Sequence, residues 1–414
     1  MMYSKEDRAI IRALAREVRA VADRPEEEEK REMWRRHTTL QGKRPPVFVS
    51  PEGSWAEILP ESALRCEGEE ARQVETELRR RLFRHTTIQD DTPVERVYDF
   101  PVGYFPLNSV WGVQPKIVPR TNQRGSWHYD PIIEDPSDWK QLKMPDLPVD
   151  REGAQRRAEA LMEAAGDLLD VRVTRIKVFD FHIAHLYCDF RGYDNLLYDL
   201  IDEPEMVEDA FSFFEEGIER MLRQAEEGNL IDCNSDHTYH YTGGLGYTRD
   251  LPVEKPEGAS FADIWGAAED QEYAVVSPEM FAETVFPHER RLLRHFGLTG
   301  YGCCDDLTEK LDSVLTIPRL RRVAACPWAN LERMADRLKK DYILTWKPNP
   351  AHIAAPTFDE AALEAYLTDS LRQAKAGYPE IILRDTHSCR GEGERFGRFV
   401  QIARRAIDAV YGTD

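Results

Sequence analysis

The sequence predicts an α/β fold: a (β/α)8 TIM barrel over residues 41–414, preceded by a helical extension over residues 1–40. Three observations predict it. From about residue 155 onward, strand-like and helix-like segments alternate, the pattern of parallel strands joined by crossover helices. The strand-like segments are short, apolar and β-branched on both faces, as in Ile381-Ile382-Leu383, which is how doubly covered parallel strands read. Chemically capable residues follow many of these strands, and no glycine-rich phosphate loop follows any of them. That favours a barrel mouth over the single switch point of a doubly wound sheet.

The elements follow in order. Residues 1–40 have the period of one or two amphipathic helices, with the acidic run Glu26 to Glu29 on a solvated face. A first strand is expected at 46–50 and a helix at 61–90. Residues 95–150 are rich in Pro and aromatics and have no clean period. They read as a second strand near 98 with an elaborated lid region, in which Trp111, Trp127, His128 and Tyr129 either cap the mouth or, as such residues more often do, pack in the core. A helix near 155–169 leads to a strand at 175–181, and a helix at 204–228 to a strand at 230–234. A helix at 278–294 leads to a strand at 300–304, and a short helix at 305–315 to one at 322–326. Helix 329–339 precedes strand 342–346, helix 358–376 precedes strand 380–384, and a last helix spans 392–411. Ser277-Pro278 is an N-cap followed by proline at the first helical position, and Thr357 with Glu360 has the spacing of a capping box. Phe396, Val400, Ala403, Ile407 and Val410 form the apolar stripe of the last helix.

Composition narrows the function. A net charge of −20 disfavours nucleic-acid and anionic-membrane partners. Apolar runs fall far short of the roughly 20 residues of a spanning helix, and the charged N-terminus has no secretory apolar core, so a cytoplasmic protein is expected. Seven cysteines at irregular spacing argue against a disulfide framework and for buried thiols or metal ligands.

The residues after the late strands converge on one mouth in a barrel. They include Asn234 to His240 with the flexible Gly243 to Tyr247, then Tyr301 to Asp306, Cys326-Pro327-Trp328, Trp346 to Pro350, and Arg384 to Cys389. Thiolate, imidazole and carboxylate in one place form a zinc-type donor set, with Cys304, His387 and a carboxylate or second thiolate as the three ligands of an open site. Strand alternation would turn only one of Cys303 and Cys304 inward. His182 and His185 in an H-x-x-H could touch substrate or be structural; Lys347 could hold an anionic group or lie along the surface.

These motifs together resemble the uroporphyrinogen decarboxylase superfamily, and within it the corrinoid-dependent methyltransferases of anaerobic metabolism. The resemblance rests on Trp55 with Glu57, Gln89-Asp90-Asp91, Asn234 to Tyr239, Gly243 to Thr248, Tyr301 to Cys304, Trp346 to Pro350 and Asp385-Thr386-His387. It implies a (β/α)8 barrel that often dimerises. In the coenzyme M methyltransferases of this superfamily, zinc is bound by an H-x-C after one strand and a Cys after the last. Carried over, the Cys falls on Cys304, the His has no counterpart, and the last-strand Cys falls on His387, leaving Cys303, Asp305 or Asp236 for the third ligand. The arginine-rich stretch that the decarboxylase uses for porphyrinogen carboxylates is absent from residues 49–57, which disfavours that substrate.

The resemblance implies O-demethylation of a small methyl donor, such as a methoxylated aromatic, with transfer to cobalamin on a separate corrinoid protein and zinc as Lewis acid. Asp236, His237, Tyr239 and His240 are the expected catalytic residues, and Trp55, His182, Tyr247, Tyr301, Trp346 and Lys347 the expected substrate contacts. A metal-independent decarboxylase of a carboxylated or tetrapyrrole-type substrate, and a non-catalytic corrinoid- or tetrapyrrole-binding barrel, are the alternatives.

Overall fold

Strand β1 (Val47–Val49) is short and fully buried, and it pairs in parallel with the last strand, β11 (Tyr378–Leu383). The structure, a computed structural model, describes residues 2–118 and 128–413; Trp127 lies outside them. Between these ends come β2 (Val97–Pro101), β3 (Lys116–Val118), β4 (His128–Asp130), β5 (Asp170–Thr174), β6 (Asp180–Phe181), β7 (Trp265–Ala268), β8 (Leu298–Tyr301), β9 (Leu320–Ala325) and β10 (Ile343–Trp346).

Seven strands form one parallel sheet in the order β1-β11-β10-β9-β8-β7-β6. β2 and β5 form a separate parallel pair, and β3 and β4 an antiparallel one. The expected eight-stranded closed barrel is therefore a mixed α/β architecture around a seven-stranded parallel sheet; no hydrogen-bonded closure links β6 to β1 among the described residues. No helix among them is long and apolar enough to cross a membrane.

The outer helices form for the reasons visible in their sequences. Ser277 caps the helix Pro278–Glu283 by accepting from the Met280 amide, with proline at the first position. The stretch expected as one helix breaks at Thr284 and resumes as Val285–Leu293. In the helix Glu360–Gln373, Asp359 rather than Thr357 is the cap, accepting from the Ala362 amide. A carboxylate next to the first turn also meets the helix dipole, which Thr357 two residues upstream cannot do. The last helix, Glu394–Tyr411, buries the stripe Phe396, Val400, Ala403, Ile407 and Val410.

Several segments depart from expectation. The strand expected at 175–181 is reduced to β6, with β5 ending just before it and Ile176 bridging Ile231 in parallel. That single bridge is what remains of the strand expected at 230–234. β7 carries Trp, Gly and two Ala, with no β-branched residue to signal a strand. It fits because the Phe296 ring lies directly on Gly266, where a Cβ would come within 2.4 Å of it. In the acidic run, Glu27 is buried and accepts from the Val94 amide at 2.7 Å, so the face is not solvated throughout.

The helices Lys5–Ala22 and Pro25–Thr38 pack into the same molecule's core. Ile11, Ala15 and Val18 are buried there, and Trp34 donates from Nε1 to the Asp91 carbonyl at 2.8 Å. His37 stacks on Tyr378 at the start of β11 and lies 3.3 Å from Glu380. Glu380 pairs with Arg322 of β9 at 3.2 Å, both wholly buried, and accepts from Thr345 of β10 at 2.7 Å. Burial lowers the His37 pKa, which leaves Arg322 as the main counter-charge of Glu380. A buried ion pair adds little net stability, but loss of one member leaves an uncompensated charge.

Candidate active site

The segment 234–248, expected as a loop at the mouth, is instead a hairpin lying inside the sheet's curve. Tyr239 bridges Leu245 in antiparallel fashion. The hairpin's base is fixed at the start of β7, where Asn234 exchanges hydrogen bonds with the Trp265 backbone and Trp265 donates to the Gly246 carbonyl. Arg322 holds its returning arm by donating to the Leu245 carbonyl at 2.8 Å. Gly243 and Gly244 have φ of 147° and 72°, and a Cβ on Gly243 would come within 2.3 Å of Thr345 Cγ2. Only glycine serves where the turn needs positive φ and the wall is this close.

At its tip the hairpin meets the C-terminal ends of the strands. Tyr241 packs edge-on against His182, which follows β6, with ring centroids 4.5 Å apart. Its carbonyl accepts from Arg384, which follows β11, at 3.4 Å. The Arg384 guanidinium also lies over the rings of Tyr239 and Tyr241 at 5.9 and 5.5 Å, and Glu52 and Asp385 flank it at 3.4 and 3.5 Å. Burial works against the Arg384 charge, and Tyr239, Cys303 and the two carboxylates more than restore it.

After β8, Gly302 turns at φ 89°, and the chain leaves strand geometry before the two cysteines. Strand alternation therefore does not govern them: the Sγ atoms of Cys303 and Cys304 face each other at 3.3 Å. Cys303 is buried, Cys304 is partly exposed, and Cys304 lies 3.8 Å from Asp385 Oδ2. Lys347, the residue after β10, brings its ammonium into the same space. It is 3% exposed and its Nζ has no hydrogen-bond partner among the described residues.

The electrostatics follow from this packing. Hydrogen bonding from Cys304 lowers the Cys303 pKa below the ordinary thiol range against the cost of burial, and Lys347 adds to that. Cys304 is correspondingly pushed up by its hydrogen bond to Cys303, by burial and by the charge on Cys303. The pair thus holds one proton over a wide pH span, a coupled titration in which the first proton leaves easily and the second does not. Burial disfavours the Lys347 charge, and Cys303, Tyr239 and Cys304 outweigh it.

A second polar cluster adjoins the first. His182 sits between Glu269 and Asp180 at 2.7 and 2.8 Å. Burial opposes its charge, but the two carboxylates hold its pKa well above the ordinary value. Asp270, wholly buried, accepts from the Ala184 amide, and Glu289 accepts from Tyr301 at 2.7 Å; burial raises both carboxyls, and Glu289 raises Asp270 further.

The expected site residues divide accordingly. Cys303, Cys304, Lys347, Tyr239 and His182 come together. Asp236 instead pairs with Lys177 at 2.9 Å, and His237 lies 3.9 Å from Asp99. His240 is buried edge-on to Trp265, and burial lowers its pKa well below the usual value. Tyr301 packs outward on Phe281 and Phe286, and Trp346 on Tyr366. Tyr247 joins Trp34 in a small core and donates to Glu95, and Trp55 packs against Phe83 and under Arg80. His387 is exposed beside Gly53. Asp305 is buried 3.7 Å from Lys310, and burial raises its carboxyl to about 7.

No group of three or more His, Cys, Asp or Glu side chains is gathered as a metal site among the described residues. The zinc donor set expected from sequence does not fit this arrangement: His387 is exposed, Asp236 is paired with Lys177 at 2.9 Å, and Asp305 lies buried 3.7 Å from Lys310, so no three of the expected donors are gathered. The sequence places Arg384 at the mouth without a role and gives no signal for Tyr241 or Glu269. Glu269 could be found only once β7 was seen, since it follows a strand without a strand signature. A surface groove of about 860 Å³, lined by Glu32, Arg36, Arg44, Asp91, Arg404 and Asp408 among others, lies away from this chemistry, at the N-terminal end of β1.

No family model matches the sequence, and no curated protein matches it. Among solved structures, a methyltransferase from Methanosarcina mazei is similar with a TM-score of 0.49 and 11% identity, over 91% of this chain and 97% of that one.

Proposed function

We propose that this protein is a methyltransferase on a (β/α)8-type scaffold, taking a methyl group from a small donor, a methoxylated aromatic or similar methyl ether, for a separate corrinoid protein. The sequence motifs that resemble corrinoid-dependent methyltransferases suggest the reaction. The observation that carries it is the Lys347 ammonium, buried and without a hydrogen-bond partner among the described residues, beside Arg384 and the two thiols.

Demethylation of an ether leaves an oxyanion. Lys347 can donate to that oxygen as charge develops, and Arg384 adds positive potential from a position fixed by Glu52 and Asp385. Preorganised donors in a water-poor site are worth far more than in water. Tyr239 and Tyr241 offer ring faces and edges to an aromatic donor, and Cys304, partly exposed, marks the approach from solvent. The corrinoid protein would supply the cobalt that accepts the methyl group. Because the expected ligands do not converge, no step is assigned to zinc.

The test is anaerobic incubation of the protein with free cob(I)alamin and a methoxybenzoate, followed by the absorbance of methylcobalamin. The expected result is donor-dependent methylcobalamin, slowed by about 10²–10³ in Lys347→Met, as for loss of one oxyanion donor. Equal rates in the folded variant would remove Lys347 from the mechanism. The same cation would hold a carboxylate, so carbon dioxide release without corrinoid would favour a decarboxylase; binding without turnover would favour a carrier barrel.

A further inference from the structure

We propose that Cys303 and Cys304 form a reversible oxidation site, converted by low-molecular-mass disulfides into a vicinal disulfide at the strand ends. The geometry carries it. The two sulfurs already face each other at 3.3 Å, one buried and one open to solvent. The other five cysteines are all buried, and none has another cysteine as a hydrogen-bonding partner.

The steps balance. Only Cys304 can be reached from solvent, so it passes its proton to the Cys303 thiolate 3.3 Å away and attacks one sulfur of the disulfide RSSR, forming Cys304–S–S–R and releasing RS⁻. Cys303, as thiolate, then attacks Cys304 Sγ, forming the vicinal bond and expelling the second RS⁻. The first RS⁻ takes the one proton the pair holds, which frees Cys303 as thiolate for the second attack, and the second RS⁻ takes a proton from solvent. The pair gives up two electrons and RSSR becomes two RSH, the ordinary course of thiol–disulfide exchange. Lys347 favours the second attack by adding to the stabilisation of the Cys303 thiolate.

The product is labile for a geometric reason. Consecutive Cα atoms are about 3.8 Å apart across a trans peptide, below the usual disulfide range of about 4.4–6.8 Å. Strain of this kind makes a disulfide easier to reduce, which suits a regulatory bond and not a structural one. Oxidation would also remove the thiolate that faces Lys347 and leave that ammonium without its compensating charge. The proposal concerns the thiol pair alone and does not depend on the methyl-transfer reading.

The test is to incubate the native full-length protein with glutathione disulfide, quench with an alkylating reagent, and map the peptide holding both residues by mass spectrometry. The expected peptide has lost both alkylation sites, carries no glutathione, and regains both sites in mild dithiothreitol before any other cysteine changes. Cys303→Ser should stop at the Cys304–glutathione adduct, a trap that also shows the variant is folded and reachable. Lys347→Met should slow the oxidation of the wild-type pair several-fold at neutral pH and less at alkaline pH. A wild-type peptide that accumulates the glutathione adduct, or that stays fully alkylatable, overturns the proposal.

Discussion

Replacing Lys347 by Met tests the electrostatic core of the site directly. The ammonium is 3% exposed and has no hydrogen-bond partner among the described residues, and its charge lowers the Cys303 pKa. Cys303 is lowered to about 6, and the hydrogen bond from Cys304 is the larger cause, so the share carried by the Lys347 charge is about one pH unit, ~1.4 kcal/mol. Met keeps most of the stem volume, so packing changes little. The assay is the ultraviolet absorbance of thiolate against pH, with the Cys303→Ser, Cys304→Ser double variant subtracted to remove the other cysteines. The midpoint should move upward by about one unit. The sign extends to stability. A thiol whose folded pKa is depressed contributes fully above its unfolded value, about 8.5, and loses that contribution as pH falls through the folded value. Lys347→Met should shrink this acid-side loss in urea unfolding. An unchanged thiolate midpoint in the folded variant would refute the placement of Lys347 beside the pair.

Three further outcomes follow from the interior. Glu380→Ala strands the buried Arg322 charge and should lower the unfolding free energy by about 3–5 kcal/mol, measured by urea denaturation; a change below 1 kcal/mol would mean that solvent reaches the pair. Gly243→Val forces a side chain into Thr345 at a φ of 147°, and it should lower Tm sharply or prevent folding, whereas Gly391→Ala, with nothing within 4 Å, should cost only the strain of its positive φ. His182, whose folded pKa is raised, should stabilise fully below its unfolded value of about 6.5 and lose that contribution as pH rises through the folded pKa. His182→Asn should therefore flatten the fall in stability on the alkaline side of neutrality, and an unchanged profile would mean that the Asp180 and Glu269 clamp is not formed.

The sequence signalled the periodic elements well. The last helix and β9 to β11 carry strong apolar patterns, and their positions agree with expectation within a few residues. β7 was invisible because in Trp-Gly-Ala-Ala only Trp favours a strand and Gly and Ala disfavour one; its place is decided by Phe296 on one side and the hairpin on the other. The hairpin was the harder case. Its glycines signal a turn equally well for a solvent loop and for a segment pressed against a wall, and local sequence does not say which. The deciding contacts, Arg322 to the Leu245 carbonyl and Trp265 to the Gly246 carbonyl, join residues 77 and 19 positions apart.

That placement explains why the expected catalytic run breaks apart. In an exposed loop, Asp236, His237, Tyr239 and His240 could all turn to one substrate. In a hairpin with Tyr239 bridging Leu245, neighbouring side chains face opposite walls. Tyr239 consequently reaches Arg384, while His240 packs on Trp265. Asp236 stays with Lys177 near the hairpin's base. The same hairpin brings Tyr241 to His182 and Arg384, so a segment that fills the sheet's interior also builds one wall of the site. Substitutions at Gly243 or Gly244 should therefore disturb the Arg384 and Lys347 cluster as well as stability. A folded variant there with an unaltered thiolate titration would separate the two roles.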